Sequence, residues 1–161
     1  MLEFDISNRY SELLEIIEES SKKVIVFANF RHTIEILQER LKADGYSNEV
    51  IHGGISAGKR TEIFKSFQTE KHPRVLVIQP QSASHGVTLT AANTIVWWGP
   101  VTSYETFVQA NDRVHRAGQD SPCTVVQISG SPVETKLYAS LSSKESTQKS
   151  LMSLYEEALK V

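Results

Sequence analysis

The hydrophobic positions of this chain switch repeatedly between a helical spacing and short unbroken apolar runs. Helical spacing predicts helices that bury one face, and an apolar run without alternation predicts a strand that is buried on both sides. Five segments have the character of strands, at 24–28, 49–52, 74–78, 94–98 and 123–128. Helical segments separate them, centred on residues 10–17, 34–41, 57–67 and 103–115, with a last one from 132. This alternation predicts an α/β domain with a central, mainly parallel sheet flanked by helices.

Residues with special backbone preferences mark where two of the helices end and begin. Gly45 follows the second helical segment and predicts a left-handed cap there. Thr102 and Glu105 have the spacing of a capping box, in which a hydroxyl and a carboxylate satisfy free amides at the start of a helix. This pair predicts a helix that runs from about Ser103 towards His115.

A second capping box, Ser131 with Glu134, opens the C-terminal helix and has proline at the first helical position. We expect that helix to be broken or loosened near residues 142–148. No internal repeat, low-complexity tract or linker rich in glycine and proline divides the chain. The sequence therefore predicts a single domain over residues 1–161, with residues 132–161 as a helical extension.

The net charge of the chain excludes one class of nucleic-acid-binding protein. The chain has 161 residues, with 17 lysines and arginines against 19 aspartates and glutamates, which gives a net charge of −2. Proteins that coat nucleic acids usually have a large basic excess. Any contact with nucleic acid must therefore come from a few placed basic residues.

Cysteine, histidine and apolar runs exclude other classes of protein. Cys123 is the single cysteine, so the chain has no internal disulfide and no cysteine-rich zinc module. The five histidines lack the spacing of a metal site, and we expect none. No apolar run has transmembrane length and the first residues do not resemble a signal peptide. These features predict a cytoplasmic protein without a membrane partner.

One motif resembles a phosphate-binding loop. Gly53 and the pair Gly58-Lys59 have the spacing Gly-x-x-x-x-Gly-Lys between a predicted strand and helix. The next residue is Arg60, where such loops need a serine or threonine to hold magnesium, and Thr61 comes one residue too late. A small P-loop phosphotransferase that uses Lys59 is therefore an alternative hypothesis, and a simple turn into a helix is the plainer interpretation.

Gln109, Arg113 and Arg116 give a stronger indication of chemistry. If the helix continues through them, they lie at i, i+4 and i+7 and share one face. Two guanidiniums on one face can clamp a phosphoryl group and neutralise the charge that develops during its transfer. The alternatives are a solvated face in which Asp112 pairs with Arg116, or a non-catalytic binding module whose arginines dock an acidic partner.

The segment that contains these arginines resembles the last motif of the superfamily-two helicase-like ATPases, and its ending Arg-Ala-Gly-Gln is similar to the Swi/Snf-type branch. Further segments resemble other motifs of the same C-terminal RecA-like lobe, in the same order. Ala83-Ser84 stands where eukaryotic remodellers have two glycines, which is closer to bacterial or phage members. The segments are VIVFANF (24–30), IHGGIS (51–56), SHGVTLTAAN (84–93), WWGP (97–100) and QANDRVHRAGQ (109–119).

The resemblance implies a RecA-like three-layer fold and half of an ATPase site. ATP with Mg²⁺ would be bound mainly by an N-terminal lobe whose Gly-Lys-Thr loop and acidic box do not occur in this chain. Arg116 would be the arginine finger, Arg113 its neighbour, Gln109 the residue that orients them, and Gly86 a point of close approach to the nucleotide. The positions that match family contacts to nucleic acid are Asn29, Arg31, Gly53, Gly54, Ser84, His85 and Thr90.

The sequence as a whole predicts the C-terminal lobe of a Swi/Snf-type ATP-dependent DNA translocase or helicase. Its expected partners are an N-terminal RecA-like lobe of the same protein and DNA, in double-stranded form. Since the nucleotide-binding half is missing, we expect the chain alone to be inactive.

Overall fold

The computed structural model describes residues 2–83 and 87–142, and side chains from residue 8 onward. The strands are β1 (Lys23–Phe27), β2 (Asn48–Ile51), β3 (Val75–Ile78), β4 (Ala92–Trp97) and β5 (Thr124–Gln127). The helices are α1 (Leu2–Glu19), α2 (Arg31–Ala43), α3 (Ala57–Thr69), α4 (Tyr104–Asp112) and α5 (Pro132–Ser142), and Pro80–Ala83 forms one 3-10 turn. All five predicted strands are present, with bounds that differ by one or two residues.

The five strands form one parallel sheet in the order β2, β3, β1, β4, β5. The chain builds β2 and β3 on one side of β1 and then crosses to the other side for β4 and β5. Because all strands point the same way, the segments that follow them meet at one edge of the sheet, where α/β proteins bind ligands. The predicted α/β class with a central parallel sheet between helices is confirmed.

Helices cover both faces of the sheet and make two cores. One core packs α1 and α2 on the sheet, with Leu13, Ile17 and Leu37 fully buried. The other packs α3, α4 and α5 on the opposite face, with Phe67 fully buried and Phe107 nearly so. Strand β1 contributes to both cores in alternation, which is why its apolar run is unbroken.

Trp97, at the end of β4, connects the sheet to α4 and α5. Its ring packs at 4.6 Å from that of Phe27 and 4.9 Å from that of Phe107, measured between centroids. Its indole nitrogen donates to Oδ1 of Asn111 at 2.9 Å, and its carbonyl oxygen accepts from the Tyr138 hydroxyl at 3.1 Å. A buried tryptophan needs such a partner, so this side chain fixes the position of α4 on the sheet.

The predicted start of α4, about Ser103, agrees with the structure to within one residue, whereas its predicted capping residue and its predicted end differ. The residue that caps α4 is Ser103 rather than Thr102, and its hydroxyl accepts from the amide of Thr106. The helix ends at Asp112 instead of continuing to His115, since the amides of Arg113 and Val114 bond to the carbonyl oxygens of Ala110 and Asn111, three residues back.

The other boundary signals of the sequence agree with the structure. Gly45 follows α2 with φ of +88°, the left-handed cap expected there. The Ser131 hydroxyl accepts from the amide of Glu134 and caps α5. The predicted loosening near residues 142–148 lies outside the described residues.

Gly45 and Gly58 provide a matched test of this backbone. Gly45→Ala should lower the free energy of unfolding by about 1 kcal/mol, because an alanine is strained at positive φ. Gly58→Ala should raise it by about 0.5–1 kcal/mol, since Gly58 lies inside the first turn of α3. Neither new Cβ would meet another atom within 4 Å. Chemical denaturation of both variants checks these opposite signs, and equal signs would contradict the assigned conformations.

Candidate functional site

The two arginines lie at the end of α4 and in the turn that follows it. Arg113 is the residue that caps α4, is half-buried, and donates from Nε to the Gln109 carbonyl oxygen at 3.1 Å. Arg116 is exposed and donates from Nη1 to the Val87 carbonyl oxygen at 3.0 Å. The arginine loop, residues 113–119, therefore rests against the segment that leads into β4.

The prediction that Gln109, Arg113 and Arg116 share one helix face is wrong, because α4 ends before either arginine. The Gln109 side chain donates to Glu105 at 3.1 Å instead of turning towards the arginines. The alternative in which Asp112 pairs with Arg116 is not found either: among the described side chains, neither arginine forms an ion pair. The Arg116 guanidinium thus keeps its charge available in solvent.

Gln119 closes the arginine loop with all four of its hydrogen-bonding positions in use. Its amide nitrogen donates to the carbonyl oxygens of Ala92 at 2.8 Å and Val114 at 3.0 Å. Its amide oxygen accepts from Lys22 Nζ at 3.0 Å and from the Ser121 amide at 3.3 Å. A side chain with every donor and acceptor satisfied holds one geometry.

Lys22 was not identified from the sequence as a functional residue. Its ammonium donates to the Thr90 carbonyl oxygen at 3.1 Å, to Gln119 and to Asp120 at 2.9 Å. The hydrogen bond from Lys22, followed by its charge, lowers the pKa of the Asp120 carboxyl. The partners lie 68 to 98 residues away in the chain, so no local pattern could have indicated them.

The arginine loop packs at the edge of the sheet where β4 begins. A second group of predicted residues lies at the opposite edge, where the strands end. The Asn29 amide donates to the Pro100 carbonyl oxygen at 2.9 Å. Gln79, after β3, donates to the Asn29 carbonyl oxygen and accepts from the Gly53 amide, both at 3.2 Å. Gln79 thus joins the ends of β1, β2 and β3. Gln79 was not predicted as a functional residue: its place directly after a buried strand was a local signal, but its partners come together only when the strands pair.

Arg31 and His52 lie against the backbone of Gly54. A Cβ added to Gly54 would come within 2.7 Å of the Arg31 guanidinium and 3.0 Å of the His52 ring, so a larger residue would displace the exposed Arg31 side chain and shift the ring. The Gly54 amide donates to Nδ1 of His52 at 3.0 Å. Burial and then the charge of Arg31 lower the pKa of His52, while Glu35 opposes them. His52 is therefore neutral and serves as an acceptor.

Thr90 lies apart from the other residues predicted to contact nucleic acid. It precedes β4, at the edge of the sheet where the strands begin, and is buried. Its hydroxyl accepts from Gln68 at 2.9 Å. Its contact with DNA stays a prediction, but it does not lie with Asn29 and Gly53. The predicted Ser84, His85 and Gly86 lie outside the described residues.

The loop that resembles a phosphate-binding loop does not present the backbone amides that a phosphate needs. The Ser56 hydroxyl already accepts from the Lys59 amide at 3.3 Å. The Arg60 guanidinium fills the turn and donates to the carbonyl oxygens of His52 and Ile55, each at 3.0 Å. A phosphate loop presents amides to its ligand, whereas this turn presents carbonyl oxygens. The geometry does not favour a phosphotransferase that uses Lys59.

The described part of the chain contains neither a cluster of metal-binding side chains nor a helix that could span a membrane. Within residues 8–83 and 87–142, no group of three histidine, cysteine, aspartate or glutamate side chains is arranged to hold a metal ion. No helix in that part of the chain is both long and apolar enough to cross a membrane.

Comparison with protein families gives one match that covers most of the chain. A family model described as "Helicase conserved C-terminal domain" matches residues 8–118. The matched range begins in α1 and ends inside the arginine loop. In structure, the chain is similar to the "C-terminal part of Fun30 ATPase domain", with a TM-score of 0.75 and 19% identity over 94% of this chain and 54% of that one. At this identity the likeness shows the fold.

Curated relatives include proteins with chromatin-related names. "Chromodomain-helicase-DNA-binding protein 1-like" of Danio rerio is 29% identical over 133 residues, which are 82% of this chain and 13% of that protein. A "SWI/SNF-related matrix-associated actin-dependent regulator of chromatin subfamily A-like protein 1 homolog" of Caenorhabditis elegans is 34% identical over 98 residues, 61% of this chain and 14% of that protein. The chain thus corresponds to a small part of these relatives.

The neutral state of His52 predicts how stability depends on pH. Protonation of Nδ1 would break the bond from the Gly54 amide, and the unfolded histidine, with a pKa near 6.5, takes up a proton more readily than the folded one. The free energy of unfolding should therefore fall as the pH drops below 6.5.

Chemical denaturation at several pH values measures this effect. His52→Asn keeps an acceptor without titrating and should lose this part of the pH dependence, whereas the exposed His32→Asn should keep it. An unchanged pH profile in His52→Asn would contradict the assignment.

Proposed function

Because the chain belongs to the family of helicase conserved C-terminal domains, we propose that it is the second lobe of a Swi/Snf-type ATP-dependent DNA translocase or helicase. Its fold and relatives make it a helicase-like ATPase lobe. An N-terminal RecA-like lobe of the same protein completes the ATPase site. Residues 1–161 act as one domain, and residues 132–161 extend it. The cytoplasmic location and the lack of a membrane partner remain sequence-based predictions.

The exposed guanidinium of Arg116 is the observation that carries this proposal. It is anchored through one nitrogen to a backbone carbonyl oxygen, and no carboxylate within the described residues neutralises it. The remaining N–H groups can donate to phosphate oxygens in the fork geometry that arginine favours. A guanidinium that is anchored but not neutralised suits a site in which a second lobe binds the negatively charged phosphate.

Arg116 acts as an arginine finger and Arg113 as its neighbour. Charge develops on the γ-phosphate oxygens as the phosphoryl group leaves, and a positioned guanidinium stabilises that state more than bound ATP. Gln109 supports this group through its carbonyl oxygen, which accepts from Arg113. Gly86 gives room for the nucleotide to approach. ATP with Mg²⁺ is bound mainly by the first lobe, as the family resemblance implies.

DNA contacts come from the edge of the sheet where β1 and β2 end. Arg31 is exposed beside Gly54 and pairs through Nε with the Glu35 carboxylate at 2.8 Å, which leaves its other nitrogens for a phosphate. Gly53 and Gly54 are exposed and have no side chain, so a phosphate bound by Arg31 has room beside them. Asn29 is the adjacent polar side chain on the β1 side. Ser84 and His85 are further proposed contacts. Thr90 was also predicted to contact DNA, but it precedes β4 at the opposite edge of the sheet and would belong to a separate contact. Few basic residues lie along this edge, which agrees with a chain of net charge −2.

The finger assignment is tested in the protein that contains both lobes. Arg116→Ala should leave ATP affinity within about twofold and lower DNA-stimulated hydrolysis about 1000-fold or more, as loss of a transition-state contact does. Lys59→Ala is the matched control and should keep both properties. Retained hydrolysis in Arg116→Ala would refute the finger, and loss of ATP binding in Lys59→Ala would favour the P-loop alternative.

The DNA edge is tested by the salt dependence of binding. Arg31→Ala in the two-lobe protein should weaken DNA binding equally across sequences and reduce the slope of log affinity against log salt by about 0.9. Lys65→Ala, an exposed lysine of α3, should leave that slope unchanged. Equal slopes in Arg31→Ala and the unmodified protein would show that Arg31 does not contact a phosphate.

A further inference from the structure

Two neighbouring lysines at the start of β1 serve different parts of the structure. Lys22 directs its ammonium to the side of β4, where its three donors reach Thr90, Gln119 and Asp120. Lys23 directs its ammonium to the end of α3, where it donates to the carbonyl oxygens of Phe67, at 2.6 Å, and Glu70. Both side chains are partly buried lysines with backbone acceptors, so they form a natural comparison.

The partners of Lys22 belong to the two segments that hold the arginine loop. The first segment, 87–90, accepts from Arg116 at the Val87 carbonyl oxygen and donates from the Leu89 amide to the Arg113 carbonyl oxygen. The second is the end of the loop, where Gln119 fixes the Val114 carbonyl oxygen. Lys22 donates to Thr90 in the first segment and to Gln119 in the second, and therefore fixes the distance between the two segments.

We propose that Lys22 is a positioning residue of the ATPase site, which holds the arginine loop through Gln119 and Thr90 and thereby fixes the approach of Arg116 to the γ-phosphate. This inference rests on the proposed function, since it concerns the same site. The ammonium itself lies at the far side of the loop and does not touch the nucleotide. Its effect passes through the carbonyl of Thr90 and the amide oxygen of Gln119.

Such a role predicts a change in kcat without a change in binding. A displaced finger loses transition-state contact while ATP and DNA still bind, so in the two-lobe protein Lys22→Met should lower kcat about tenfold to a hundredfold. KM for ATP and the affinity for DNA should stay within about twofold. Lys22→Arg retains the charge and its donors and should restore kcat to within about threefold.

Lys23→Met is the matched control for a general loss of stability. It removes a lysine of similar burial at the adjacent position and should keep kcat within about twofold, because its partners belong to α3. If Lys22→Met does not fold, Lys22→Gln, which keeps a donor, takes its place. Hydrogen exchange, measured by mass spectrometry, should become faster in two different places. In the Lys22 variants it should do so in the peptide that covers residues 113–121, and in Lys23→Met in the peptide that covers the end of α3.

Three outcomes would overturn the inference. They are an unchanged kcat in the Lys22 variants, an equal loss of kcat in Lys23→Met, and a loss of kcat in Lys22→Arg as large as in Lys22→Met. Arg116→Ala separates this inference from the proposed function. If Arg116→Ala abolishes hydrolysis and the Lys22 variants are fully active, the finger stands and the positioning role of Lys22 fails. If Arg116→Ala is active, the finger itself fails.

Discussion

The parallel pairing of β1 with both β3 and β4 is the constraint on which the rest of the structure depends. β1 is the central strand, and residues Val24 to Ala28 are completely buried. Its alternating side chains supply both cores, so its position fixes α1 and α2 on one face and α3, α4 and α5 on the other. The same strand separates two functional regions: Lys22 precedes it at one edge of the sheet, and Asn29 follows it at the opposite edge.

These two edges divide the chemistry of the lobe. The arginine loop is tied to the beginning of β4 through Gln119 and the Ala92 carbonyl oxygen, whereas the proposed DNA contacts follow the ends of β1 and β2. The sheet therefore holds the arginine loop and the proposed DNA contacts in a fixed relation. Under the proposed function, this arrangement would pass a movement caused by nucleotide hydrolysis at one edge to DNA bound at the other.

Local signals in the sequence were enough for the sheet and most helix boundaries, including the cap at Gly45 and the capping serine of α5. These signals failed where the hydrogen-bond partners are distant in sequence. Past the end of α4, the Arg113 carbonyl oxygen accepts from the Leu89 amide and Arg116 donates to the Val87 carbonyl oxygen, so long-range bonds hold this loop instead of a helix face. Lys22 and Gln79 were missed for the same reason, since their partners come together only when the strands pair.

The central claim is that Arg116 reaches the reacting phosphate of ATP bound by another lobe. The most direct measurement is a crystal structure of the two-lobe protein with DNA, ADP, Mg²⁺ and a fluoride mimic of the transferred phosphoryl group. The account predicts that the Arg116 guanidinium lies within hydrogen-bonding distance of that mimic while one nitrogen stays on the Val87 carbonyl oxygen. A closed, nucleotide-bound structure in which Arg116 points away from the mimic would contradict it.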